Sequence, residues 1–262
     1  MNGGSVLKTG DAAGNAEIFR CLCRSSPWKW NSLRFELRAV TPGAPEGDPS
    51  AGVLRAWTRR PGALRVESAD GQLLYSTTGI NDSRDGFYVS ATRKSWLLPP
   101  HLVTPVFNGI DLVRRRPEAA YGEPIFGNGR WSAMLDPVEL AGSAPVAYEA
   151  PFANPVEIHE LSETEHGGRH TLEAIVSPNL TYRPYDAGHP LLLEGRTHVR
   201  IDWRTGICVS AVALDGPQQG RGHSLTILGV DEYMLDDLFL EVSMNLTDVR
   251  EHIPWPVRPH PA

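Results

Sequence analysis

The chain has 262 residues, 41% of them hydrophobic, and a formal net charge of −6. That length suits one large domain or two small ones, and the apolar share is enough for a real core. The acidic balance disfavours non-specific nucleic-acid binding, because no basic excess is available to displace counterions from phosphates.

Of the 25 basic residues, Lys8, Lys29 and Lys94 are the lysines and the rest are Arg. With abundant Ala, Gly and Pro, this reads as GC-rich coding rather than function. Cys21, Cys23 and Cys208 are odd in number and share no repeated spacing, which argues against a disulfide framework. Cys21 and Cys23 are one residue apart, whereas zinc knuckles use a gap of about two to four. They are read as semi-buried thiols on a helix, and neither a metal nor a cofactor is expected. The first 30 residues lack an apolar run of seven or more, so no secretion signal is read. No stretch approaches the roughly 18 apolar residues that span a bilayer. The expectation is a cytoplasmic chain without a transmembrane segment.

In chain order, residues 1–14 are Gly-rich and polar and read as disordered. Asn15 is placed as the cap of a helix over Ala16 to Arg24. From Ser32 the period changes to two, with Leu33, Phe35, Leu37 and Ala39 alternating against Arg34, Glu36 and Arg38. After the Pro/Gly-rich loop Thr41–Gly52, strands are read at Val53–Arg59, Ala63–Glu67 and Gln72–Ser76. Arg60-Pro61-Gly62 and Asp70-Gly71 form the turns between them. Phe87–Ala91 and Arg93–Leu97 are a further candidate pair. The stretch Pro99–Val113 is amphipathic and Pro-interrupted, and Arg114 to Arg116 read as a solvated basic turn before Pro117. Asp136 and Pro137 are placed at the start of a helix within Met134–Leu140.

Strands resume at Val156–Thr164, turn at His166-Gly167-Gly168 and return over Arg169–Val176. Val199, Ile201 and Trp203 alternate in a strand that ends in the turn Arg204-Thr205-Gly206. There Gly206 is free to take positive φ, and Asp202 is placed to accept hydrogen bonds from turn amides. Ile207 to Ala213 and Leu225 to Gly229 follow as strands, and Val230–Phe239 closes with a turn returning Leu238 and Phe239 to the core. Residues 15–249 are taken as one domain and the Pro-rich 250–262 as a loose tail. Nine or ten strands at hairpin spacing with no βαβ alternation predict a mostly-β α+β fold. Its form is a strongly curved antiparallel sheet, an incomplete β-barrel, with helices covering the concave side.

The stretch RRPGALRVESADG (Arg59–Gly71) resembles a segment of the LolA-like lipoprotein carrier superfamily, which includes LppX- and RseB-like proteins. There a strand, a Pro turn and an Arg-bearing strand precede a downstream Asp-Gly. VRIDWRTGICVSAVALDG (Val199–Gly216), followed by LTILGVDEYMLDDLF (Leu225–Phe239), resembles that superfamily's C-terminal hairpin and closing turn. The likeness runs from about Ile18 to Val242. It implies a half-barrel whose apolar hollow holds acyl chains or senses misfolded outer-membrane proteins. Relatives of this kind mostly work outside the cytoplasm, which the missing secretion signal does not match.

No catalytic signature is found: no G-x-S-x-G elbow, P-loop or G-x-G-x-x-G run occurs. The nine histidines are scattered. His166 and His170 sit across a Gly-Gly turn and read as surface hairpin residues. The pairs Asp82/Asp85 and Asp236/Asp237 read as solvated charges. A bent sheet that fails to close must either fill its hollow or leave an apolar cavity. Candidate ligand-lining residues are Phe35, Leu37, Trp57, Leu64, Val66, Trp96, Phe107, Trp131, Ile201 and Trp203. The expected partner is a hydrophobic small molecule or lipid, or an apolar peptide segment. The alternatives are a protein-interaction module with a filled cavity and, third, a hydrolase using His and Asp from the irregular middle.

Overall fold

The computed structural model describes residues 5–42, 52–78, 100–117, 126–127, 130–146 and 153–240. Among them, nine strands form one antiparallel sheet: β1 (Ser32–Val40), β2 (Val53–Arg59), β3 (Ala63–Ser68), β4 (Leu73–Thr77), β7 (Val156–His166), β8 (Arg169–Pro178), β9 (Thr197–Asp202), β10 (Cys208–Ala213) and β11 (Gly222–Val230). Their order is β4-β3-β2-β1-β11-β10-β9-β8-β7. Two meanders of sequence neighbours are thus joined by one long-range seam, where Leu33 faces Val230 and Val40 faces Gly222. Among the described residues the sheet does not close, and β4 and β7 stand at its two edges. A separate two-stranded ribbon pairs β5 (Val106–Phe107) with β6 (Val113–Arg115). The candidate strands at Phe87–Ala91 and Arg93–Leu97, and the tail 250–262, lie outside the described residues.

Turn chemistry explains the hairpins. Gly167 and Gly168 both take positive φ (57° and 73°) between β7 and β8, as a two-residue turn matched to strand twist requires. Between β9 and β10, Gly206 adopts φ 71°. The buried Asp202 carboxylate there accepts from the Thr205 amide (2.8 Å), the Thr205 hydroxyl (2.7 Å) and Arg169 (2.7 and 2.9 Å). Trp203 falls just beyond β9 rather than within it.

Two helices pack on the same face, here the inner one. Helix α1 (Ala12–Ser25) is capped by Asp11, which accepts from the Gly14 amide, so it starts a turn earlier than the Asn15 cap predicts. Asn15 instead bonds Lys8 through both its side-chain atoms, accepting from the amide and donating to the carbonyl. This, with the Ser5 hydroxyl and the Leu7 amide donating to Glu163 of β7, holds residues 5–11 against the fold. Their polar composition suggests disorder, but Glu163, far along the chain, supplies the anchor. Helix α2 (Arg130–Leu135) precedes the proposed Met134–Leu140 helix. Within that stretch the helix ends before Asp136 and Pro137, and a 3-10 turn covers Val138–Leu140.

Phe19, Leu22 and Cys23 of α1 bury against Leu172, Val199, Ile201 and Ala211 of β8–β10. Trp131, Met134 and Leu135 of α2 bury against Leu33, Phe35, Leu64, Val66, Leu225 and Ile227 of β1, β3 and β11. Phe239 is buried as expected, but it joins a separate small cluster with Ala63, Met234 and the half-buried Trp57. Ala63 and Trp57 alternate with the inward Leu64 and Ala56, so this cluster caps the outer face. Arg116 is not solvated either: its guanidinium donates to both oxygens of Asp136 and to the Arg24 carbonyl, and lies over the Trp28 ring.

Candidate functional site

The alternation of β1 leads into the site. Leu33 and Phe35 are sealed by the core, whereas the next residues on that face, Leu37 and Ala39, line a cavity of about 310 Å³. Leu54 of β2, opposite Leu37, continues the floor. Trp131 and Met134 of α2, with Phe126, supply the other wall. Their rings run in series: Phe35 to Trp131 at 5.4 Å between centroids, Trp131 to Phe126 at 5.6 Å edge-on, and Phe126 to Tyr75 at 6.0 Å. Such tilted and edge-on contacts favour aromatic packing and make this wall stiff.

Four residues with polar side-chain atoms, Arg38, Arg130, Trp131 and His223, belong to this otherwise apolar lining. His223 fits because both its cross-strand neighbours are small, Ala39 on β1 and Ala211 on β10. Its Nε2 lies 2.9 Å from the Cys208 carbonyl oxygen. A carbonyl can only accept, so Nε2 carries the proton and Nδ1 is left as an acceptor. Neither His223 Nδ1 nor Trp131 Nε1 has a hydrogen-bond partner, although both atoms are buried. Burial holds the imidazole down to a pKa of about 3, with Arg130 adding to the effect, so the ring is neutral at pH 7. Burial also pushes the Arg130 guanidinium below its usual range, opposed by Cys208, Tyr182 and Glu139. Preceding His223, Gly222 is obligatory: a Cβ there would lie 1.8 Å from the Ala211 carbonyl oxygen.

A second, wider concavity of about 580 Å³ lies against Pro178, Leu180, Tyr182, Pro184, Pro190 and Leu192. The buried Glu139 carboxylate shapes it, accepting from the Tyr182 hydroxyl (2.5 Å), the Tyr185 amide (2.8 Å) and the Leu191 amide (2.8 Å). This groove is open, and among the described residues none of its side chains holds a buried polar atom without a partner. The cavity under α2 is therefore the stronger candidate.

Of the residues proposed from sequence, Leu37 and Trp131 line that cavity. Phe35, Leu64 and Val66 lie beneath α2 in the core, and Ile201 lies beneath α1. Trp57 is on the outer face, and Phe107 is exposed on the β5–β6 ribbon. Trp203 is half-buried beside His170 and Lys29. Trp96 lies outside the described residues. His166 and His170 diverge, one meeting Leu225 and the other Glu163. Sequence reasoning missed Arg130 and His223. The usable signal for His223 was a histidine on an inward position of an apolar strand, two residues before Leu225.

No group of three or more His, Cys, Asp or Glu side chains that would hold a metal occurs among the described residues. Nor, among them, is any helix long and apolar enough to cross a membrane. No family model matches the chain, and no curated protein matches it. Among solved structures it is similar to one described as the crystal structure of MucB, at 13% identity and a TM-score of 0.38. The match covers 88% of this chain and 64% of that one, so the chain spans less than two thirds of its length.

Proposed function

We propose that the protein is a non-enzymatic binder of a small hydrophobic ligand, seated between α2 and strands β1, β2 and β11. The observation that carries this reading is the cavity of about 310 Å³, walled by Leu37, Leu54, Phe126, Trp131 and Met134. Its volume lies at the lower end of the ~300–1,000 Å³ of ligand pockets. An apolar guest gains roughly 25 cal/mol for each Å² taken out of water, so no charged partner is needed for affinity. The sequence resemblance to LolA-like carriers agrees with this use of a hollow, in a carrier or sensor role.

Native mass spectrometry of gently purified protein, followed by titration with medium-chain amphiphiles, tests it. A co-purifying ligand of matching size, or saturable binding that moves the Trp131 resonances, supports the reading. Absence of both ends it.

A second reading has its own observation. Leu102, Val106, Phe107 and Ile110 are all exposed on and beside the β5–β6 ribbon, an apolar cluster of the kind that marks protein contact. The alternative is an interaction module in which the α2 cavity is vestigial. Capture of a defined partner that is lost in F107S, with no amphiphile binding, would favour it.

A further inference from the structure

The β5–β6 ribbon carries charge as well as apolar side chains. Between Pro100 and Pro117 the sequence has three arginines and a single acid, in a chain whose formal charge is −6. Arg116 is committed to Asp136, but Arg114 and Arg115 are exposed and have no ion-pair partner among the described residues. Arg115 lies opposite Val106, and opposite side chains share one face of a ribbon. Arg114 is the extra residue between the cross-strand pairs Val106–Arg115 and Phe107–Val113. The acid, Asp111, is offset by the Lys29 ammonium, which burial pulls below its usual pKa while Asp202 and Asp111 hold it up.

The tip of the ribbon is suited to leaving water. Val106, Phe107 and Ile110 are 55%, 46% and 48% exposed, whereas Leu112 and Val113 are buried. Four tip amides already have acceptors. That of Asn108 donates to the Leu112 carbonyl (2.8 Å), that of Asp111 to the Asn108 carbonyl (3.3 Å), and those of Ile110 and Leu112 to Asn108 Oδ1 (3.0 Å each). Amides satisfied from within give up no hydrogen bonds to water on entering an apolar boundary. The base is fixed: the Val113 amide donates to Ser25 Oγ of α1 (2.8 Å), and Arg116 joins Asp136 and the Arg24 carbonyl. A rigid base displays the apolar side chains, so docking needs little further ordering.

We propose that this ribbon docks on an anionic lipid bilayer, with Val106, Phe107 and Ile110 entering the acyl boundary and Arg114 and Arg115 meeting lipid phosphates. Guanidinium matches phosphate geometry through paired hydrogen bonds. Interfacial binding rests on buried apolar area together with attraction to anionic lipid, and the ribbon carries both. With its tip amides already used, the ribbon offers a protein partner few hydrogen bonds, and a lipid surface asks for none. None of these five residues lines the α2 cavity, so the proposal does not depend on what that cavity holds.

The test is flotation of the full chain with vesicles of phosphatidylcholine alone or mixed with phosphatidylglycerol. The expected result is at least tenfold tighter binding to the mixed vesicles at low salt, lost at about 1 M salt, where screening acts within about 3 Å. R114Q and R115Q should each weaken binding about fivefold, the effect of one basic residue near an anionic surface, and R114K and R115K should retain most of it. F107S and I110S should each weaken it at least fivefold with the charge unchanged. All four positions are exposed, and urea midpoints near the parent's show that the variants fold. Equal binding to both vesicles, or to neither, would overturn the proposal. Vesicle binding that survives in F107S would also overturn it, by placing the lipid contact elsewhere. Capture of a protein partner that is lost in F107S, without vesicle binding, would assign the ribbon to protein contact instead. Amphiphile uptake by the α2 cavity should be unchanged in F107S, so the hydrophobic-ligand reading stands or falls separately.

Discussion

His166 Nε2 donates to the Leu225 carbonyl at 2.9 Å, joining the tip of the β7–β8 hairpin to β11. Four strand spacings separate β7 from β11 in the sheet order, about 19 Å if the sheet were flat. The β10–β11 pairing runs only from Val212 opposite Gly222 to Ser210 opposite Ser224, so Leu225 has no cross-strand partner on β10 and its carbonyl meets the hairpin tip instead. Gly167 completes it: a Cβ there would sit 3.6 Å from Thr226 Cγ2, on the outer face. Replacing His166 by Ala should cost about 0.5–1.5 kcal/mol, the net worth of one hydrogen bond. Amide exchange should quicken at residues 164–171 and 225–227 and stay unchanged in β1–β4. Uniform acceleration across the sheet would mean that the tip contact does not act locally.

The buried His223 imidazole and the half-buried His166 imidazole make stability depend on acid in a definite direction. Burial lowers the pKa of His166, and that of His223 to about 3, against an ordinary 6.5. The unfolded chain therefore binds more protons than the folded one between these limits, and stability rises with pH there. The contribution is complete above pH 6.5 and is lost as pH falls toward 3. His223 adds up to about 1.4 kcal/mol per pH unit inside that window, and the half-buried His166 adds less in the same direction. Urea titrations at pH 7, 6, 5 and 4 should show this fall, and H223Q should remove about one proton from the slope. An unchanged slope in H223Q would show that His223 titrates normally.

The three consecutive arginines divide sharply. Arg114 and Arg115 are exposed, while the Arg116 side chain is 6% exposed and pairs with an Asp136 side chain that is 13% exposed. Breaking a buried pair strands a charge, at a cost of about 3–5 kcal/mol, whereas exposed charges contribute little. R116A should therefore lower the urea midpoint markedly, with R114A and R115A within about 0.5 kcal/mol of the parent. Equal effects at all three positions would contradict the pairing.

That contrast shows what the sequence made legible and what it did not. Period-two alternation and turn residues are local, so β1–β3, the Gly167-Gly168 turn and the Asp202–Gly206 turn could be read directly. The seam between β1 and β11 joins residues almost 200 positions apart, and no local pattern encodes it. Helix α2 has six residues, too few to show a 3.6-residue period. Arg116 looks like its neighbours until Asp136 is brought beside it. The site was half legible for the same reason: Leu37 and Trp131 stand out as apolar residues, but His223 gains meaning when Ala39 and Ala211 flank it.

Glu139 organises the wider groove from beneath, and it offers the clearest separation of the two concavities. Its carboxylate, 6% exposed, satisfies the Tyr182 hydroxyl and two backbone amides at once. Burial raises its pKa, with the Tyr182, Tyr185 and Leu191 hydrogen bonds working against the rise. Removing the acceptor leaves those donors unpaired, which should cost about 2–4 kcal/mol in E139A. The loss should concentrate in residues 179–194, where limited proteolysis would cut first. Because the α2 cavity is lined by other residues, amphiphile affinity per folded molecule should stay within about twofold of the parent. If E139A abolished amphiphile binding while its circular dichroism stayed intact, the ligand would belong to the Pro178–Leu192 groove rather than beneath α2.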